Sequence, residues 1–137
     1  MSARGNPHLF KPLLTTSGVG HRLVNTSRGV VLATHIETAF DSSSRRRGLL
    51  GRASLPRGTV LAIAPSNAVH TFKMQFPIDV VFVRRDGRVV KRVTNLGPRR
   101  ITAAFRAFAV LEFAAGSAEV AATQVGDQLT VESAATV

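Results

Sequence analysis

A mainly β, β-rich α+β fold is predicted for this chain: a single domain built as a bent antiparallel sheet, or a small barrel or sandwich, of about eight short strands with two short helices. Three observations predict it. Short runs rich in Val, Ile, Thr and Phe recur along the chain, bounded by Gly, Pro, Asn, Asp and Ser. Asp86-Gly87 stands between two such runs, a strong local signal for a hairpin. The long amphipathic segments that would carry βαβ crossovers are missing, which argues against a doubly wound parallel sheet. With 137 residues, 45% of them hydrophobic, the chain suffices for one domain with its own core.

Residues 1–20 are expected to form a flexible arm, because Pro7, Pro12, Gly18 and Gly20 interrupt any periodic pattern. The domain is expected over 21–133, with a tail at 134–137. Residues 21–25 and 30–35 flank the turn-like segment 26–29 and form an opening hairpin. Asp41 and the three serines after it supply capping oxygens for a short helix over 45–50 that ends near Gly51. A strand over 59–64 stops at Pro65. Strands over 70–74 and 78–84 follow, joined so tightly that Met74 would face Ile78 and Lys73 would face Asp79. Asp86-Gly87 is expected to make a type I′ turn into a strand over 88–94. A strand over 108–114 comes next, then a helix over 117–124 with Ser117 as N-cap and Gly126 at C′. A last strand covers 128–132.

Composition bounds the chemistry. There is no Cys, so disulfides, thiolate nucleophiles and thiolate metal ligands are excluded. No apolar run approaches the ~20 residues a bilayer core requires, and the first twenty residues lack the unbroken apolar stretch of a signal peptide. The expected location is cytoplasmic, with no membrane span. Net charge is +10, and it is uneven: all 18 Lys and Arg precede residue 107, while Glu112, Glu119, Asp127 and Glu132 follow it. Arg84, Arg85, Arg88, Lys91, Arg92, Arg99 and Arg100 are candidates for a polyanion-binding face, where neutralised phosphates would release counterions. The lack of Tyr and Trp argues against base stacking, and the simpler alternative is a solvated Arg-rich surface.

Residues 70–87 read HTFKMQFPIDVVFVRRDG, with RRRGLLGR upstream at 45–52 and Leu111-Glu112, Ala115-Gly116 and Val125-Gly126-Asp127 downstream. In this order the chain resembles the bacterial and archaeal family called domain of unknown function 192. Arg45, Gly48, Leu49, Gly51, Arg52, Phe72, Met74, Pro77, Asp79, Phe82, Gly126 and Asp127 occupy matching positions, over about residues 20 to 133. Lys73 departs from the pattern, which has a non-basic residue before the Met, and Leu50 replaces the usual Met. The resemblance implies a compact β-rich fold and no particular reaction.

Asp79 opens a strand that is apolar on both faces, so its carboxylate needs a partner: Lys73, Arg52 or backbone N–H groups of a neighbouring loop, with a guanidinium from the arginine-flanked helix as the leading expectation. Its alternatives are to brace a loop or to bind a ligand. His70 with one carboxylate nine residues on is no metal signature, and neither metal nor cofactor is expected. No nucleophile elbow, P-loop or dinucleotide fingerprint is present. Arg45, Arg46, Arg47 and Arg52 around Gly48 and Gly51 suit a carboxylate or phosphate. Three functions follow. The first is a module binding a small molecule, anion or protein partner without catalysis, through His70, Phe72, Met74, Asp79, Arg45 and Arg52. The second is a nucleic-acid or polyanion binder. The third is an enzyme using Asp79 and His70 as acid and base.

Overall fold

The computed structural model describes residues 8–15 and 20–133. In chain order the elements are α1 (Lys11–Thr15), β1 (His21–Asn25), β2 (Val30–Ala33), β3 (His35–Ala39), α2 (Ser42–Arg47), β4 (Thr59–Ile63), β5 (Ala68–His70), β6 (Ile78–Val83), β7 (Val89–Leu96), β8 (Ile101–Ala103), β9 (Ala109–Ala114), α3 (Ala118–Ala122) and β10 (Leu129–Ser133). They form a five-stranded sheet ordered β3-β4-β9-β6-β7, a three-stranded sheet ordered β10-β1-β2, and a two-stranded ribbon of β5 and β8. The β-rich α+β class holds, and these sheets are not closed into a barrel.

The five-stranded sheet is the frame. Its inner strands β4 and β6 are buried at every residue, which is why they read as unbroken apolar runs rather than alternating ones. Side chains alternate faces along a strand, and the core divides accordingly. Val60, Ala62, Val81, Val83, Leu111 and Phe113 meet Leu23, Leu129 and Val131 of the three-stranded sheet. Leu61, Ile63, Val80, Phe82 and Val110 meet Leu49, Leu55, Val69 and Leu96 on the other side.

Several local expectations are corrected. Of the expected arm, residues 1–7 and 16–19 lie outside the described residues, while Leu9 and Phe10 are buried in the first core cluster, and the Leu9 amide donates to Arg85 O at 2.8 Å. The strand expected over 30–35 breaks at Thr34, whose amide donates to Gly58 O. β2 stays on β1 as the expected hairpin, while β3 crosses to pair with β4 in parallel. The strand expected over 70–74 ends at His70. β5 pairs with β8, not β6, so Met74 does not face Ile78 and Lys73 does not face Asp79. The reason lies at Thr71, whose hydroxyl donates to Gly97 O at 2.6 Å and accepts from the Arg100 amide at 2.9 Å. It thereby holds the chain to the segment before β8.

The caps are as expected at the helix starts: Asp41 accepts from the Ser44 amide and Ser117 from the Val120 amide. α3 ends at Thr123, not at Gly126. The β6–β7 turn is closed by the Gly87 amide on Arg84 O, and only Gly87 has a positive φ, of 91°. That is a type I turn with a glycine bulge, not type I′.

Candidate functional site

Glu112 is the most unusual side chain in the frame. It lies in β9, the central strand, between Leu61 of β4 and Val80 of β6 in register. Its neighbours two residues away on the same face, Val110 and Ala114, belong to the second core cluster. The residue is 4% exposed. Among the described residues none forms an ion pair or hydrogen bond with its carboxylate. Burial alone therefore pushes the acid up from 4.5 to about 7, because water is removed and nothing replaces it.

The carboxyl forms part of the wall of a cleft of about 130 Å³ lined by Arg45, Arg46, Arg47, His70, Met74 and Ile78, among others. The arginines arrive there because α2 is short. Its last turn is all arginine, and Gly48, with φ of 48°, turns the chain so that Leu49 enters the core, 2% exposed. Arg45 donates to Phe40 O at 2.8 Å, while Arg46 and Arg47 are exposed. Three arginine residues thus line a small cleft together with Glu112 and apolar side chains such as Met74 and Ile78. A larger hollow of about 570 Å³ lies between β2 and α3. Its charged residues, Arg57 and Glu119, are exposed and of opposite sign.

The six ligand-site candidates are divided by the fold. His70, Met74 and Arg45 meet at the cleft; Asp79, Arg52 and Phe72 do not line it. Asp79, 2% exposed, pairs in register with Phe113 and so takes the opposite face of the sheet from Glu112. The expected guanidinium is not its partner. Its Oδ1 accepts from the Asn95 amide at 2.7 Å and its Oδ2 from the Gly116 amide at 3.2 Å. The first amide is freed by a register shift in the β6–β7 pairing, and the second belongs to the turn after β9, where Gly116 has φ of 105°. Of the partners expected for Asp79, backbone N–H groups are the ones present. Arg52 instead holds Glu37 of β3 at 2.7 Å. His70 is exposed on the ribbon, so an Asp79–His70 acid–base pair does not form.

The basic residues do not compose one stripe. Arg84 pairs with Asp86 at 3.0 Å, and Arg85 lies over the Phe108 ring at 4.7 Å. Arg88 donates to Gly126 O and Lys91 to Ala103 O. Arg92 donates to Ala121 O and Thr123 O, closing the end of α3. Arg99 and Arg100 remain exposed beside the ribbon.

A family model for domain of unknown function 192, described as "Uncharacterized ACR", matches residues 23–131. The chain belongs to the DUF192 family. A crystal structure from Sinorhizobium meliloti 1021, described as that of a candidate transcription regulator, is similar with a TM-score of 0.67 and 25% identity, covering 85% of this chain and 93% of that one. A protein of unknown function from Novosphingobium aromaticivorans DSM 12444 shares the fold with a TM-score of 0.66 and 24% identity, covering 93% of each chain. No curated protein matches. In DUF192 terms, the Arg-x-x-Gly-Leu segment builds the arginine side of the cleft, and the Pro-x-Asp segment fastens β6 to β7 and to the turn after β9. Asp127 of the Gly-Asp motif accepts from Asn25, Arg28 Nε and the Gln124 amide. Burial would raise its acid, but these donors outweigh it and bring it down to about 2.

Sequence reasoning missed Glu112 as a site residue. The signal was present: an acid inside AVLEFA at 109–114, a run apolar on both faces, is as anomalous as Asp79.

Proposed function

We propose that this chain is a ligand-binding module that takes a small oxyanion, a carboxylate or phosphate group, in the cleft between α2 and Glu112. The observation that carries this is the buried carboxyl of Glu112, without a partner among the described residues, in the wall of a cleft that Arg45, Arg46 and Arg47 also line. Buried polar groups are otherwise matched by partners, and perturbed acids cluster where ligands bind. Arg45, Arg46 and Arg47 supply charge and hydrogen-bond donors for the anion. Glu112, in its protonated form, donates a hydrogen bond to one ligand oxygen. His70 and Met74 close the side nearest the ribbon. A cleft of about 130 Å³ admits a small ion or one functional group of a larger molecule, since a water molecule occupies about 30 Å³.

NMR titration of the full chain with acetate and with inorganic phosphate tests this. Saturable shifts are expected at Gly48, Leu49, His70 and Glu112. They are expected to weaken by about tenfold per pH unit above 7, as the acid loses the proton it donates. Saturation should vanish in an Arg46→Ala, Arg47→Ala double variant. Shifts that stay linear, or that survive in the double variant, would reject the oxyanion cleft.

A further inference from the structure

The β5–β8 ribbon carries a second surface, which adjoins the cleft at Ala68 and His70. Its inward side chains, Val69 and Ala104, are buried in the second core cluster. Its outward side is built differently. Ala68 pairs with Ala103 and His70 with Ile101, all four exposed. Ile101 is 69% exposed, Phe105 at the ribbon's end 96%, and Phe72 at its base 44%. Three large exposed apolar side chains thus stand on or beside the ribbon, where isolated ones would call for no explanation.

Cations surround them. Lys73, Arg99, Arg100 and Arg106 are exposed, and none forms an ion pair with a described residue. Residues 66–77 and 97–107 contain no Asp or Glu. Lys73 and Arg99 have positive φ values of 67° and 61°, a conformation that glycine adopts without cost and a long side chain does not. Both strained positions at the ribbon's base therefore hold cations. The other basic residues of this half of the chain are spent on carbonyls, an aspartate or a ring, so the free positive charge is concentrated where the apolar side chains protrude.

We propose that this ribbon docks the protein onto an anionic membrane surface, with Phe105 and Ile101 entering the acyl boundary and Lys73, Arg99, Arg100 and Arg106 meeting lipid headgroups. Apolar side chains ringed by Lys and Arg are what interfacial binding requires. A single-stranded nucleic acid fits less well. Ile101 offers no stacking face, and the Phe72 ring is already packed beside His70, with centroids 5.6 Å apart.

Co-sedimentation of the full chain with vesicles tests it. We expect binding to phosphatidylcholine vesicles containing phosphatidylserine and none to phosphatidylcholine alone. Phe105→Ser, which disturbs no packing, should weaken binding about tenfold. The Arg99→Gln, Arg100→Gln pair should weaken it about 25-fold at low salt. Val125→Ser, at an exposed apolar position in another turn, should leave it unchanged. Equal binding by Phe105→Ser and the parent would overturn the proposal. So would binding to labelled oligothymidylate that depends on Phe105 without any binding to vesicles.

Discussion

Glu112 and Asp79 lie on neighbouring strands of one sheet, both almost fully buried, and differ in what meets their oxygens. Two backbone amides satisfy Asp79, so its task is structural. Asp79→Ala would orphan both N–H groups and should cost about 2–4 kcal/mol, whereas Asp79→Asn keeps one acceptor and should cost about half as much. Urea denaturation of the two variants checks this, and a cost under about 0.5 kcal/mol for the alanine variant would contradict it. Glu112 has no such support. Its folded pKa of about 7 lies above its ordinary 4.5, so the folded state binds the proton more tightly than the unfolded state does. Stability therefore falls as pH rises from about 4.5 to about 7, by an amount on the order of 3 kcal/mol. Glu112→Gln cannot ionise. Relative to the parent it should gain about that much between pH 4 and pH 8 in denaturation at both values. A parent and variant that respond identically to pH would mean that the carboxyl is charged in the native state.

At the scale of elements, what was legible followed from local rules. The caps at Asp41 and Ser117, the all-buried strands β4 and β6, and the β1–β2 hairpin all rest on residues close in sequence. What was not legible depended on distant partners. The sequence around residues 70–74 alternates well enough for a longer strand, but the Thr71 hydroxyl binds Gly97 and Arg100 across more than twenty residues and ends it at His70. The parallel β3–β4 pairing hangs on Gly58 receiving the amides of Thr34 and His35, which no periodicity announces. The candidate site was half visible for the same reason. His70, Met74 and Arg45 were singled out by their neighbours in sequence, whereas Glu112 joins them only because β9 threads between β4 and β6. Asp79 reads from the sequence as a carboxylate that must be paired, but its partners are amides rather than a guanidinium. Amides released by a bulge and a glycine turn are invisible until the register is known.

For the whole molecule, the N-terminal segment decides how far the domain extends. Phe10 is 2% exposed, its ring stands 5.2 Å from that of Phe40, and Leu9 beside it meets Gly87, where an added Cβ would lie 3.2 Å from its methyl group. The first core cluster is therefore closed by residues that precede the first strand, joining the three-stranded sheet to the β6–β7 turn. Removing a buried phenylalanine ring typically costs about 3–5 kcal/mol, a large share of the roughly 5–15 kcal/mol that holds a domain together. Phe10→Ala should thus lower the melting temperature by several degrees or more, while Leu14→Ala, on the exposed side of α1, should barely move it. Thermal unfolding followed by circular dichroism separates the two cases. If Phe10→Ala and Leu14→Ala melted together at the parent's temperature, the segment would contribute nothing to the core, and the domain would begin at β1.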